Sequence, residues 1–378
     1  MDGRTVRSAD LVSGKETGVS MTIRLGLLIA LGFLAAVPAH AVLPVGHPDS
    51  FWRRDVTSAP LDAQSAEVIA WLSANGGFGT GQIRIDFSAE VNEADSGAPL
   101  VAFEPNSNWL TPDCDEGPVP LPAGGALEGE SGYTCTGGGD CTLIVWHEPS
   151  QKLYESIFTT TLMNGHLEGG CLAIWEPEKL YGPEGRGRYC FSAAASGLPI
   201  APLLFDADEI AAGEIAHAIR FNLPNSRIRQ RTHVSPASSA GPTTGPLSAP
   251  PVGSRLRLRA DYPLASLPNE GARVVARALQ RYGMILSDGG NIALTARIDR
   301  ATAAKWSGLL GSNDLAGIVI TDFAMIEAGE RFPNLSFENE CVRAAPEPSA
   351  LLSGIAACVA LTVRRVAATS ATSAQPSS

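Results

Sequence analysis

Thr142-Leu143-Ile144-Val145-Trp146 and the run from Leu153 to Leu162, separated by Glu148-Pro149-Ser150, decide the fold class. β-Branched, aromatic and aliphatic residues fill both runs, and the Glu-Pro-Ser interruption has the chemistry of a turn, so the pair reads as two strands joined back to back. Upstream, Gln82-Ile83-Arg84-Ile85-Asp86-Phe87 alternates polar and apolar residues with the period of a half-buried strand. Residues 42–110 as a whole alternate short apolar segments with polar turns. Gly (39) and Pro (27) are abundant, and there is no long heptad pattern and no internal repeat. A loop-rich, largely β domain follows.

Helical signals are confined to a few places. Asp206-Ala207-Asp208 can cap a helix, with Glu209 suited to its positive end. Ile210, Ile215, Ala218 and Ile219 would form its apolar stripe, with Gly213, His217 and Arg220 on another face. A second helix is expected from Leu267 to Tyr282, with Pro268 early, Val274, Val275, Ala278 and Leu279 buried, and Gly283 ending it. Met284-Ile285-Leu286 then runs into a turn, Ser287-Asp288-Gly289-Gly290-Asn291. A weaker helix over Thr302 to Leu310 and a last strand over Gly317 to Ile326 complete the expectation. Between the helices, the Ser/Pro/Gly-rich stretch Ser235 to Ser254 reads as a long surface loop, because strand-like Arg255-Leu256-Arg257-Leu258-Arg259 resumes at once. The fold class is therefore α+β and β-rich, with sandwich-like sheets, two or three packed helices and disulfides.

The formal charge is −11, and only Lys15, Lys152, Lys179 and Lys305 supply lysine. An acidic, Lys-poor surface argues against nucleic acid or an anionic membrane as partner, since both demand clustered positive charge. Apart from Cys358, the cysteines are Cys114, Cys135, Cys141, Cys171, Cys190 and Cys341, an even number suited to an oxidising compartment. Six cysteines allow 15 connectivities. Cys135–Cys141, around Gly137-Gly138-Gly139, and Cys171–Cys190 are the favoured pairs. No C-x-x-C or H-x₃-H spacing points to zinc.

Both ends carry processing signals. Arg24, the apolar run Leu25–Val37 and Ala39-His40-Ala41 are the three parts of a secretory signal peptide, assigned here to residues 21–41 with Met21 as the expected start. Residues 1–20 then read as an upstream extension. At the other end, Pro346-Glu347-Pro348 precedes the 14-residue apolar run Ala350–Val363, which stops at Arg364-Arg365. That run is short for a span of about 20 residues. The prolines keep its entry extended, and the arginines supply a positive stop on the cytoplasmic side. This order resembles the PEP-CTERM sorting tails recognised by exosortases in Gram-negative bacteria. The resemblance covers residues 345–365; Ala345 stands where that family most often has Val, and a Ser/Thr/Ala-rich tail, residues 366–378, follows the arginines. It implies an exosortase-type sorting enzyme as partner and transient anchoring in the inner membrane before processing. The final location would be the cell surface or the extracellular space.

The body, residues 42–340, is expected to form a single secreted domain. From Leu43 to Glu327 it resembles an uncharacterised family of secreted bacterial proteins. The matching residues are Trp52, Asp55, Pro60 and Asp62, then Leu153-Tyr154-Glu155, Gly197-Leu198-Pro199-Ile200, Asp208 to Ile215 with His217 to Phe221, Pro250-Pro251 with Gly253, and Tyr282 to Ile285. The chain departs from the family at Gly139-Asp140-Cys141-Thr142, where Gly-Asp-Arg-His is usual, at His147 in place of Asp, and at Val234-Ser235-Pro236. What the resemblance implies is shared export and fold.

Candidate chemistry rests on a few side chains. Asp140 and Glu155, on neighbouring strands, offer the paired carboxylates of glycosidic cleavage, and His217 with Glu214 a base and its orienter. Arg220 suits a bidentate carboxylate of an acidic sugar, and Tyr154 and Trp146 are candidate binding aromatics. Each has a plain structural role available: a solvated strand carboxylate, a histidine bonded to a loop carbonyl, an arginine paired with Asp208 or Glu209. No cofactor motif is present; Asp113-x-Asp115-Glu116 and Asp206-x-Asp208-Glu209 hold oxygen atoms for Ca²⁺ without the full loop spacing of a calcium motif. There is no G-x-S-x-G nucleophile elbow. Two functions stand: an exported envelope or matrix protein that binds or structures surface polysaccharide, and a secreted glycosidase or lyase acting on it. The polysaccharide link comes from the sorting-tail resemblance.

Overall fold

The computed structural model describes residues 45–333 apart from 110, 112 and 138, together with residues 341–343. The extension 1–20, the signal peptide 21–41, the sorting segment 345–365 and the tail 366–378 lie outside the described residues. The elements that matter here are α1 (Ser65–Ala74), β1 (Ile85–Ala89), β2 (Asn92–Ala94), β3 (Leu143–His147), β4 (Lys152–Ile157), β5 (Cys171–Trp175), α2 (Ala207–Ala212), β6 (Ile219–Leu223), β7 (Arg255–Leu258), α3 (Glu270–Arg281), β8 (Met284–Gly289), β9 (Leu294–Arg297) and β10 (Phe323–Met325). The fold is α+β and β-rich, with three α-helices among the described residues.

The hairpin expected at Leu143 forms and becomes the middle of a four-stranded sheet, β5-β4-β3-β2. β3 and β4 pair antiparallel, Ile144 opposite Glu155, and β5 pairs with the far side of β4, Ala173 opposite Glu155. The expected second strand stops at Ile157, because Phe158 adopts φ +54°, a left-handed conformation in which a strand cannot continue.

The second sheet has six strands in the order β1-β9-β6-β8-β7-β10. β6 and β8 run parallel, as do β1 and β9; β7 pairs antiparallel with β8 and β10. α3 supplies the apolar cover for this sheet's core, burying Val274, Val275, Ala278 and Leu279 as its spacing requires. Its start is Glu270, three residues later than expected. The Asn269 side chain caps it by accepting from the Ala272 N–H at 2.8 Å, which places Pro268 outside the helix.

Other expectations are corrected. The helix after Asp206 has the foreseen cap, in which Asp206 Oδ1 accepts from Glu209 N and Glu209 Oε2 accepts from Asp206 N. It ends after six residues at Gly213, whose φ of +85° closes it. Ile219-Arg220-Phe221 therefore lies in β6, a central strand buried on both faces, where a continuous apolar run fits as well as it fits a helical stripe. Thr302 to Leu310 forms turns, held by Asp299 Oδ2 accepting from Trp306 N, and the expected last strand shrinks to β10. Ser235–Ser254 is no surface loop. Ala237, Ala240, Ala249 and Val252 are buried, and the hydroxyls of Ser238 and Thr243 donate to the carbonyls of Cys190 and Arg229, which lets a polar segment run inside.

Three disulfides form. Cys135–Cys141 is as expected, whereas Cys171 joins Cys114 and Cys190 joins Cys341. Strand pairing decides the last two. Asp115 N donates to Leu172 O, which lays Cys114 beside β5, and Gly187-Arg188 pairs antiparallel with Val342-Arg343, which brings Cys341 to Cys190. These bonds fit a protein of an oxidising, extracytoplasmic environment. No helix among the described residues is long and apolar enough to cross a membrane.

Candidate functional site

β6 and β8 are adjacent parallel strands, and the crevice outside the carboxyl ends of such strands is where α/β sheets collect ligands. Here that crevice is a cleft of about 310 Å³. Asn222 of β6, Asp288 and Gly289 of β8 and the turn Gly290-Asn291-Ile292 form one wall; Asp140, Thr142 and Ile157 around the start of β3 and the end of β4 form the other. Asp86 of β1, Glu128 and Arg220 add to a lining that is mostly polar and carries four carboxylates against one guanidinium.

Arg220 is the centre of the arrangement. Its side chain is only 9% exposed, and its single ion-pair contact among the described residues is a long one, Nη2 to Asp288 Oδ2 at 3.5 Å. Its Nε is buried with no hydrogen-bond partner among the described residues, and the same holds for Asn222 Oδ1, two residues along the strand on the same face. A buried donor and a buried acceptor without partners among the described residues therefore belong to two residues that line one cleft.

Asp288 answers Arg220. Its Oδ1 accepts from Gly289 N at 2.8 Å and its Oδ2 from Ala195 N at 3.4 Å. Burial pushes its pKa above the usual carboxylate range, and the charge of Asp140 adds to that push; Arg220 and the two N–H donors oppose it without cancelling it. The charge of Asp140 is thus felt at Asp288 within one cleft.

Glu155 sits beneath, fully buried. Its Oε1 accepts from Ile200 N and Ala201 N, each at 2.8 Å, and its Oε2 from Ile200 N at 3.0 Å. Those bonds fasten the 3-10 turn Ala201–Leu203, and with it the approach to α2, onto β4. Burial raises its pKa to about 7, against the lowering effect of those N–H groups and of the Arg220 charge. Glu155 supports the cleft from below and does not line it.

His217 lies elsewhere and its partner is Glu209, not Glu214, which pairs with Arg281. Nδ1 is 2.8 Å from Ala218 O and Nε2 is 3.2 Å from Glu209 Oε1. Both neighbours offer acceptor oxygens, an arrangement that favours the protonated ring with both nitrogens donating. Burial depresses its pKa, but the charge and hydrogen bond of Glu209 and the Ala218 carbonyl more than reverse that, and the net shift is upward. Trp146 is packed in the core with Leu153 and Trp175, and Tyr154 packs half-buried against the core on the opposite face of β4 from Glu155. Neither lines the cleft. Of the expected site residues, the cleft brings together Asp140 and Arg220 only.

The acidic groups considered for Ca²⁺ face protein donors. Asp115 pairs with Arg186 and Arg343, Asp113 accepts from Phe191 N, and Asp208 accepts from Ala303 N and Ala304 N. Glu130 lies beside Cys135 and Cys141, but those sulfurs are joined in a disulfide, and the carboxylate accepts from Thr136 and Gly137.

Asp288, Asn222, Asp86 and Glu128 were not anticipated. The usable signal was at Met284-Ile285-Leu286 followed by Ser287-Asp288-Gly289-Gly290-Asn291. An apolar buried strand that ends in polar turn residues is the mark of a crevice at a strand's carboxyl end, as well as of a plain turn. No protein-family model, curated protein or solved structure matches the chain.

Proposed function

We propose that this is an exported cell-envelope or extracellular-matrix protein, sorted by an exosortase-type system, that binds surface polysaccharide in the cleft between Asp140 and Asp288. The observation that carries the reading is Arg220, a largely buried guanidinium that lines a polar cleft together with Asn222 and four carboxylates. Guanidinium and amide donors beside carboxylate acceptors suit the hydroxyls of a sugar, each of which both donates and accepts. The sorting route rests on the resemblance of residues 345–365 to PEP-CTERM tails, with residues 42–340 as the exported domain and Ala350–Val363 as its temporary inner-membrane anchor. The disulfides support the exported state.

The test is co-sedimentation of the purified, oxidised protein with exopolysaccharide from the producing cell. Wild type is expected in the pellet and Arg220→Met in the supernatant, with similar unfolding midpoints for both. Wild type left in the supernatant would remove the reading.

A second reading, cleavage of the same polymer, is favoured by one observation: Asp288 is pushed towards its protonated form while Asp140 shares its cleft. An acid and a second carboxylate across a sugar are the parts of a glycosidase. New reducing or unsaturated ends that vanish in Asp288→Asn would make the protein a polysaccharide-active enzyme.

A further inference from the structure

Asp140 also lines a second cavity, of about 470 Å³, bounded by Gly139, Phe158, Thr159, Asn106 and Asn108. Each cavity is on the scale that takes one compact ligand, about 300–1,000 Å³. With Asp140 in both linings, the two lie side by side.

Phe158 stands at the second place. A lone exposed aromatic is ordinary on a protein surface, but this one is held in an uncommon way. Its backbone is left-handed at φ +54°, a region that bulky residues rarely occupy and that persists where its surroundings enforce it. Those surroundings are visible: Thr159 N donates to Cys141 O at 2.9 Å, and Asn106 Nδ2 to Phe158 O at 3.4 Å. The ring rests over Gly170, where a Cβ would come within 2.6 Å of its Cδ2. The residue is nonetheless 37% exposed beside the cavity. One side of the ring is seated on backbone and the remainder faces the cavity.

From this we infer that the ligand is an extended polysaccharide chain occupying both cavities, with one sugar over Arg220 and Asn222 and a neighbouring sugar stacked on Phe158. The inference rests on the polysaccharide reading and deepens it: the site takes an internal stretch of chain in preference to a single sugar or a chain end. The apolar face of a pyranose ring is flat enough to lie on an aromatic ring, and the polar positions near Asn106 and Asn108 leave its hydroxyls in contact with hydrogen-bonding groups.

The experiment uses the mature oxidised protein and a size ladder of oligosaccharides, from the monosaccharide upward, made by partial acid hydrolysis of the producing cell's exopolysaccharide. Calorimetry is expected to show affinity rising with length. Phe158→Ala should weaken the longer fragments by about threefold to tenfold, leave the monosaccharide unaffected and be rescued by Phe158→Tyr. Arg220→Met should weaken every length. Affinity flat with length, or long fragments indifferent to Phe158→Ala, would overturn the extended chain while an Arg220→Met effect still upheld the cleft. No binding at any length would overturn both.

Discussion

Arg297 and Arg220 lie on β9 and β6, neighbours in the same sheet, and both are buried, yet the protein treats them in opposite ways. Arg297 is surrounded by acceptors: Glu93 Oε1 at 2.5 Å, Val91 O at 3.3 Å and, on its other nitrogen, Asp206 at 3.9 Å. It ties β9 to β2 of the other sheet and to the cap of α2. Among the described residues, Arg220 has the single long contact to Asp288 and an Nε without a partner. A structural guanidinium spends its donors within the protein; one that keeps them back while desolvated is poised for something else. The difference marks Arg297 as a fastener and leaves Arg220 as the group on which the proposed binding rests.

The largest effect should come from breaking the fastener. Arg297→Met breaks the bond to the partly exposed Glu93 and removes a counter-charge of the buried Asp206, a loss of up to about 3 kcal/mol. Arg220→Met removes one long ion pair to Asp288 and a charge that favours the Glu155 carboxylate, and is expected to cost less than Arg297→Met. Guanidinium unfolding of the oxidised variants measures both. Equal losses would show that Arg220 is a fastener too, and the basis for the cleft as a binding site would go.

Glu155 and Asp288 extend the contrast to carboxylates. Both are raised by burial, but Glu155 is closed off beneath the cleft whereas a quarter of the Asp288 side chain is exposed within it. With a folded pKa of about 7 against an ordinary 4.5, Glu155 binds its proton more tightly in the folded protein. Its contribution is complete below pH 4.5 and is lost as the pH rises to about 7. The shift corresponds to up to about 3 kcal/mol. Glu155→Gln should flatten that part of the pH–stability profile while still accepting from Ile200 and Ala201. An unchanged slope between acid and neutral pH would mean that Glu155 is not the group responsible.

His217 is expected to sharpen the division further. Its raised pKa means that its stabilisation is full below the unfolded value of 6.5 and lost as the pH rises through the higher folded one. His217→Ala should therefore cost about 1–3 kcal/mol in mild acid and less in alkali, with polysaccharide binding untouched. Lost binding in a stably folded His217→Ala protein would move the functional site towards Glu209.

How much of this was legible in the sequence follows from where each signal is stored. The hairpin at Leu143, the cap at Asp206 and the buried face of α3 are local, and each is fixed by residues a few positions apart. Gly213 is equally local, but Ile215, Ala218 and Ile219 continue past it a helical stripe that a doubly buried strand satisfies too. The disulfides of Cys114 and Cys190 depend on strand pairing across separations of 57 and 151 residues, which spacing along the chain cannot express. The cleft divides the same way. Asp140 stands out as half of a carboxylate pair and Arg220 as a charged residue beside an apolar run, but Asp288 is hidden within a glycine turn, and Trp146 and Tyr154 look like binding aromatics because sequence does not distinguish a stacking surface from a core contact.

The smallest expected effect tests whether the cleft carboxylates form one electrostatic unit. Asp140 reaches Asp288 across the cleft and contributes the least of the influences on it, after burial, Arg220 and the Gly289 and Ala195 N–H groups. Asp140→Asn removes that charge while keeping shape and hydrogen-bonding capacity, so the Asp288 titration, followed by carboxyl ¹³C NMR, should move downward towards the ordinary range. Arg220→Met removes the opposing charge and should move it upward. Opposite displacements would establish Asp140, Asp288 and Arg220 as one electrostatically coupled set. An Asp288 titration indifferent to Asp140→Asn would detach the two walls of the cleft from each other, and with them the case for an acid and its partner across a sugar.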